Sequence, residues 1–189
     1  MRRSLYLALV HHPVRDAQGA TVTTAVTNLD VHDIARSCRT YGLERYYVVT
    51  PIDAQIALVE RILGHWRDGS GGRRIPARAE ALRLTRAASS LAHVRQEIRE
   101  RHAGVEPLTV VTAATPPAGL ELSPFSDARA ELGADDGRPW LLLFGTGHGL
   151  TESVLREAEL ALAPIRPGGY NHLSVRAAVA IVLDRLIGD

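Results

Sequence analysis

Three glycines alternate in the segment Gly145-Thr146-Gly147-His148-Gly149, directly after the apolar run 140–144. Glycine tolerates positive φ and lets a ligand approach the backbone closely. Ligands of open α/β sheets bind outside the carboxyl ends of strands, so this segment is a candidate ligand loop. Its glycine spacing, with no acidic residue about twenty positions later, argues against a dinucleotide site. A tight turn without a ligand is the alternative interpretation.

A second candidate segment, residues 163–176, leads into the apolar stretch 177–186. Its prolines and glycines predict a shaped loop, and Tyr170, Asn171 and His172 offer hydrogen-bonding groups beside an apolar wall. Such surroundings suit an adenosine. An ordinary loop in which Asn171 caps the following helix is the alternative.

A third group of polar residues lies on a predicted amphipathic helix that Asn28 or Asp30 can cap. His32 and Arg36 are four residues apart, so they share one face of this helix. We expect Arg36 to orient a phosphate or a base, and His32 or Asp30 to handle a proton. A solvated pair of Arg36 and Asp33 is the alternative.

The histidines outside these segments show no spacing typical of a metal site, so we expect no bound metal. His148 and His172 fall within the two ligand segments. The histidines that lie outside all three groups are interpreted as ordinary surface or core residues: His11, His12, His65, His93 and His102.

Short β-branched or aromatic runs alternate with longer stretches of helical period, which predicts an α/β domain with a mainly parallel sheet flanked by helices. The predicted strands are residues 4–11, 45–50, 82–87, 108–113, 139–144 and 159–163. Predicted helices follow the cap at residue 28 or 30 and cover 52–66, 89–102, 124–132, 151–156 and 171–187. Residues 68–74, rich in glycine and charge, predict an exposed, mobile loop.

The 189 residues are typical of a single domain, residues 1–189, and 46% hydrophobic content argues against disorder. No apolar run approaches the roughly 20 residues that span a bilayer. The N-terminus mimics a signal peptide, but His11-His12-Pro13 interrupts its apolar stretch. A lone cysteine, Cys38, cannot form an intramolecular disulfide. We therefore expect a cytoplasmic protein that does not bind membranes.

All basic residues are arginines, which excludes a Walker A phosphate loop and lysine-based catalysis. Residues 61–101 hold ten arginines against four acidic residues, a net charge of +6, whereas the whole chain carries +1. Such a block can contact phosphates. Two solvated helix faces are the alternative interpretation.

The glycine segment after a strand, followed some twenty residues later by the segment from Tyr170 to Ala178, resembles the two C-terminal motifs of SPOUT RNA methyltransferases. Residues 28–38 resemble the N-terminal motif of that family, in which a helix carries an arginine toward the substrate. The nearest likeness is to a small branch related to tRNA (guanine-1) methyltransferases. The resemblance covers essentially the whole chain.

The resemblance implies a deep trefoil knot in the C-terminal part, with residues 171–187 threaded through the loop before them. Knots are very rare, so only the family likeness supports this expectation. It further implies a homodimer and an S-adenosylmethionine (SAM) site in the knot loops. The implied cofactor-binding residues are Thr112, Ala113, Phe144, Gly145, Thr146, Gly147, His148, Gly149, Ile165, Gly169, Tyr170, Asn171, His172 and Leu173.

The implied activity is methyl transfer from SAM to a nucleotide of a structured RNA, either tRNA or rRNA. The expected catalytic residues are Arg36, His32 and Asp30, and the expected RNA contacts are Arg73, Arg74 and Arg78. Relatives that methylate the ribose have Ser-Leu-Asn where this chain has His172-Leu173-Ser174. The aspartate base of the guanine-1 enzymes has no clear counterpart either, so the acceptor atom stays open.

Two alternatives belong to other functional classes. The first is a non-catalytic RNA-binding or regulatory module that has kept the fold. The second is an α/β enzyme that binds another adenosine-containing ligand at the same strand ends. Titration with SAM distinguishes the second from a methyltransferase, and an assay of methyl transfer distinguishes the first.

Overall fold

A computed structural model describes residues 4–114, 119–134, 137–166 and 170–188. Its strands are β1 (Leu5–Val10), β2 (Val14–Arg15), β3 (Thr21–Val22), β4 (Arg45–Val49), β5 (Thr85–Ala88), β6 (Leu108–Val111), β7 (Leu122–Ser123), β8 (Trp140–Gly145) and β9 (Leu160–Leu162). Its helices are α1 (Asn28–Thr40), α2 (Asp53–Arg67), α3 (Ser70–Arg74), α4 (Pro76–Leu82), α5 (Leu91–Arg101), α6 (Phe125–Gly133), α7 (Glu152–Arg156) and α8 (Val175–Ile187).

Seven of the strands form one parallel sheet in the order β5-β4-β1-β8-β6-β9-β7. The remaining two, β2 and β3, pair as a small antiparallel hairpin. The predicted α/β class with a mainly parallel sheet is confirmed. Among the described residues, no helix has the length and apolar character needed to cross a membrane.

Helices cover both faces of the sheet. Leu5, Leu7 and Leu9 of β1 pack in the core that contains residues of α1, α2, α4, α6 and α8. Tyr6 and Val10 point to the opposite core, which contains residues of α5 and α7. Because every position of β1 is thereby buried, the strand is apolar throughout instead of alternating with polar residues.

The expected strand 82–87 is wrong in its first half. Leu82 is the last residue of α4, and the strand begins at Thr85. Pro76 at the first position favours the helix, and the alanines that follow have high helix propensity. Leu82 and Leu84 are both buried, so their spacing imitates the alternation of a strand.

Two helix starts also differ from the expectation. Helix α1 is capped by Thr27, whose hydroxyl accepts a hydrogen bond from Asp30 N at 3.2 Å. Helix α8 begins at Val175 rather than at residue 171, because Ser174 is its cap and accepts from Ala177 N at 3.3 Å. Its expected first four residues instead belong to the preceding loop.

The expected mobile loop 68–74 contains the short helix α3 and lies against the end of α2. A Cβ on Gly71 would lie 2.6 Å from His65 Nε2, and one on Gly72 would lie 2.3 Å from Trp66 O. The glycines at these two positions therefore allow close packing on α2, which sequence composition alone does not distinguish from flexibility.

Candidate functional site

A cleft opens at the carboxyl ends of β1, β8, β6 and β9. Within the sheet, β4 lies next to β1 on one side, whereas β8 and then β6 lie on the other side of β1. In open α/β sheets such a switch in strand order creates the crevice where ligands bind. The cleft is therefore where the fold itself predicts a ligand.

The glycine segment after β8 forms a tightly curled loop at the floor of this cleft. Gly147 and Gly149 have φ of +59° and +97°, in the region that favours glycine. A Cβ on Gly145 would lie 2.8 Å from Leu150 N, because the loop folds back on the strand end. The segment is thus a tight turn whose residues also line the cleft, so the turn does not exclude a role in ligand binding.

The β2–β3 hairpin fixes this glycine loop and was not predicted from the sequence. His148 N donates to Arg15 O at 3.0 Å, and Arg15 N donates to Gly149 O at 2.9 Å. At the hairpin tip, the Asp16 carboxylate accepts from Gln18 N and Ala20 N at 2.9 and 2.8 Å. An aspartate three residues before a glycine is the signal that could have revealed this turn.

Two further loops meet the glycine loop. The Thr112 hydroxyl, directly after β6, donates to Leu143 O at 3.1 Å. The Asn171 amide donates to Ala114 O at 2.7 Å and so joins the loop before α8 to the loop after β6. Asn171 therefore connects two loops, and the cap of α8 is Ser174 instead.

Most of the expected cofactor residues line the cleft together. They are Thr112, Ala113, Phe144, Gly145, Thr146, Gly147, His148, Gly149, Ile165, Asn171, His172 and Leu173. Tyr170 does not line it: its side chain is 83% exposed and its ring lies 5.1 Å from that of His172. Gly169 lies outside the described residues.

Asp30 is the one expected catalytic residue that lines the cleft. Its carboxylate accepts from the Thr27 hydroxyl at 2.6 Å and lies 3.4 Å from Arg176 Nε. Arg176 also pairs with Asp33, at 3.1 Å. This arginine therefore joins the first two turns of α1 to the start of α8.

His32 and Arg36 lie on other parts of α1. The His32 ring packs edge-on against Trp66, with ring centres 5.3 Å apart. Burial, followed by the Arg78 guanidinium, lowers the pKa of His32. Arg36 is exposed and borders a shallow depression with Ser37 and other residues of α1, separate from the cleft.

The expected RNA-contacting arginines lie near the Trp66 end of α2. Arg73 and Arg74 are exposed on α3, and within the described ranges neither has an acidic partner. Arg78 is half-buried, with its guanidinium 5.2 Å from the centre of the Trp66 ring.

Other arginines of the basic block are paired with acids. Arg95 contacts Glu157 at 2.7 Å, and Arg99 contacts Glu106 at 2.8 Å. These two arginines are therefore partly neutralised, whereas Arg73 and Arg74 of α3 keep their full charge.

His11 was not singled out by sequence reasoning, yet it lines the cleft directly after β1. The residue is 1% exposed, and its Nδ1 lies 3.0 Å from the Thr24 hydroxyl. Burial lowers the pKa of His11 to about 4, although the nearby carboxylate of Asp30 opposes this shift. The imidazole is therefore neutral at physiological pH. Its position one residue beyond a buried strand was the available sequence signal.

Comparisons with known proteins give a consistent picture. A family model described as SAM-dependent RNA methyltransferase matches residues 4–188. A tRNA (guanine-N(1)-)-methyltransferase of Oleidesulfovibrio alaskensis is 44% identical over 99% of this chain and 43% of its own length. A protein of Aquifex aeolicus, named only as uncharacterized, is 40% identical over 98% of this chain and 89% of its own length. The chain thus spans less than half the length of the Oleidesulfovibrio alaskensis relative.

Solved structures share the fold. The SpoU methyltransferase AviRb from Streptomyces viridochromogenes, solved in complex with AdoMet, aligns with a TM-score of 0.59 and 15% identity. The alignment covers 99% of this chain and 58% of AviRb. At that identity the likeness concerns the fold alone.

Among the described residues, no group of three or more potential metal ligands occurs.

Proposed function

The chain belongs to the SAM-dependent RNA methyltransferase family, and from this premise we propose that its cleft binds SAM and methylates a nucleotide of tRNA in the cytoplasm. The observation that carries the proposal is the convergence of three loops, after β6, after β8 and before α8, on one cleft at the switch in strand order. The choice of tRNA rests on the name of the Oleidesulfovibrio alaskensis relative. Because the chain covers 43% of that protein, the acceptor atom is left open.

The cleft residues fit the cofactor. The curled glycine loop leaves no room for a Cβ on Gly145, so backbone rather than side chains forms this part of the wall. Ile165 and Leu173 supply apolar surface, and Asn171 and His172 supply polar groups, as an adenosine requires. When bound, SAM supplies an electrophilic methyl group on a positively charged sulfur. The knot implied by the sequence motifs stays a prediction.

We propose that Asp30, rather than His32, handles the proton of the acceptor nucleotide. Asp30 lines the cleft and is 13% exposed, whereas His32 is packed against Trp66. A carboxylate held by Thr27 and Arg176 is fixed in position, which general-base catalysis requires. Arg176 would compensate the negative charge of Asp30 before the proton arrives.

The test of the proposed function is calorimetric titration of the protein with SAM and with its demethylated product. We expect Kd values in the micromolar range, about −8 kcal/mol of binding free energy. Transfer of labelled methyl from SAM to tRNA of cells that lack the gene is then measured. Absence of binding heat with both compounds would rule out the methyltransferase. Binding of SAM and tRNA without transfer would instead favour the non-catalytic module.

We also propose that the protein is a homodimer, as the motifs imply. Several large apolar side chains outside the cleft are exposed on the single chain, including Leu29 at 58% and Ile75 at 44%, and a partner surface would cover them. Light scattering at tens of micromolar protein is expected to give twice the chain mass of 20.5 kDa. A mass of one chain that does not change with concentration would contradict the proposal.

Joint replacement of Arg73, Arg74 and Arg78 by glutamine is expected to flatten the salt dependence of RNA binding. Each lost phosphate contact removes roughly 0.7–0.9 from the slope of log K against log salt concentration, so the three replacements are expected to remove roughly two to three units. Filter binding of tRNA at several salt concentrations measures the slope. Arg78 contacts Trp66, so the melting temperature of the variant is recorded as well.

The matched control replaces Arg95, Arg99 and Arg101, which already pair with Glu157, Glu106 and Glu97. This variant loses the same formal charge, and we expect its slope to stay close to that of the wild type. Equal slopes for both variants would place the RNA surface elsewhere.

A further inference from the structure

The side chains of Thr146, Thr24 and His11 form a hydrogen-bonded network between the glycine loop and the end of β1. The Thr146 hydroxyl donates to Val10 O at 3.0 Å. It also contacts the Thr24 hydroxyl, which lies between β3 and α1. Thr24 in turn contacts His11 Nδ1 at 3.0 Å. The network thus ends at the imidazole of His11, the residue that follows β1.

The number of available protons determines the tautomer of His11. A hydroxyl carries one hydrogen, and that of Thr146 is committed to Val10 O. Since Thr146 donates to Val10 O, its contact with the Thr24 hydroxyl is a hydrogen bond only with Thr24 as the donor. With the hydrogen of Thr24 committed, His11 Nδ1 must donate to Thr24. In a neutral ring, Nε2 then holds a lone pair and no hydrogen.

This lone pair has no partner among the residues that the structure describes. His11 Nε2 is buried and unpaired, in a side chain that is 1% exposed and lines the cleft. Buried polar atoms are nearly always hydrogen-bonded, so an unpaired acceptor beside a ligand cleft needs a donor from a ligand or from a buried water. Burial lowers the pKa of His11 to about 4, so the acceptor stays unprotonated at neutral pH.

The position of His11 favours the acceptor nucleotide over the cofactor as the source of this donor. The three loops that would hold SAM follow β6 and β8 or precede α8. His11 follows β1, at the border of that group of strands and on the side of Asp30, whose charge acts on the imidazole. His11 and Asp30 therefore line neighbouring parts of the cleft, and a base held beside the Asp30 carboxylate would lie near the imidazole.

We propose that Nε2 of His11 accepts a hydrogen bond from an N–H group of the nucleobase that is methylated, and so positions that base beside Asp30. This inference rests on the proposed function. It assigns His11 as a nucleotide-binding residue and the Thr24–Thr146 pair as the group that fixes its tautomer.

The test compares His11→Asn with His11→Gln in the full-length protein. Asparagine can still donate to Thr24 from a position near that of Nδ1 but offers no acceptor at Nε2, whereas the longer glutamine can place its oxygen there. Three quantities are measured for each variant: the melting temperature, the Kd for S-adenosylhomocysteine, and the affinity for tRNA from cells that lack the gene, with S-adenosylhomocysteine present. Where transfer is observed, kcat/KM is added.

We expect His11→Asn to weaken tRNA binding or kcat/KM about tenfold, with an unchanged Kd for S-adenosylhomocysteine, and His11→Gln to recover most of the loss. A comparable loss of S-adenosylhomocysteine affinity would overturn the proposal, because the acceptor would then serve the cofactor. A lower melting temperature with both affinities unchanged would also overturn it, since Nε2 would then serve a buried water. If the wild type transfers no methyl group, the proposed function fails, but the tRNA affinities still decide the role of His11.

Discussion

Replacement of Asp30 by asparagine is expected to lower kcat for methyl transfer by roughly a hundredfold to ten-thousandfold, the usual contribution of a general base. The Kd for SAM should change less than about twofold, because Asp30 lies on α1, outside the three loops that would hold the cofactor. Asparagine keeps the volume of the side chain and an oxygen that can accept from Thr27. What the variant loses is the negative charge and the basic site. Single-turnover methyl transfer measures the step directly.

The matched control is Asp33→Asn. Asp33 forms the other ion pair of Arg176, at 3.1 Å, but does not line the cleft. Both variants therefore weaken the connection between α1 and α8, whereas only Asp30→Asn removes the proposed base. If the two variants lose activity equally, the ion pairs of Arg176 matter and the proton acceptor must be sought elsewhere.

Replacement of Gly147 by valine is expected to weaken SAM binding at least tenfold, about 1.4 kcal/mol. The physical reason differs from a simple clash with the ligand. A Cβ at this position would lie 3.1 Å from Arg15 O and 3.3 Å from Thr24 Cγ2, so the new side chain presses on the hairpin. The backbone φ of +59° is unfavourable for a β-branched residue as well. Both effects displace the glycine loop from the cleft floor.

The same contacts also predict a loss of folding stability, of about 1–3 kcal/mol, as in other overpacked sites. Gly104→Val is the matched control, because Gly104 has φ of +90° and a Cβ added there would have nothing within 4 Å. Thermal unfolding and SAM titration on both variants separate backbone strain from the clash with the hairpin. Normal SAM affinity in folded Gly147→Val protein would show that the cofactor does not bind over this loop.

The sheet was largely predictable because most of its strands are short apolar runs buried on both faces. The predicted strands at β1, β4, β6, β8 and β9 agree with the structure to within two residues at each end. The hairpin was missed because β2 and β3 have two residues each, too few for a periodic pattern. Spacing such as that of Leu82 and Leu84 fits a strand as well as the end of a helix.

The site was predictable where it depends on local chain geometry and not where it depends on strand order. Glycines after a buried strand indicate a ligand loop from the sequence alone. Helical spacing places His32 and Arg36 on one face of α1, but it does not reveal which face meets the cleft. The proposed role of His11 depends on β1 lying beside β8, although about 130 residues of chain separate these two strands. It also depends on Thr24, which contacts both His11 and Thr146.

The hydrogen bonds between Arg15 and the glycine loop have an entropic consequence. Ordering a flexible backbone costs roughly 1–2 kcal/mol per residue, and a loop that becomes ordered only on ligand binding subtracts this cost from affinity. Here Arg15 holds His148 and Gly149 through main-chain contacts within the protein itself. The β2–β3 hairpin thus preorganises the loop during folding, and the free energy of cofactor contact is retained as affinity rather than spent on closing the loop.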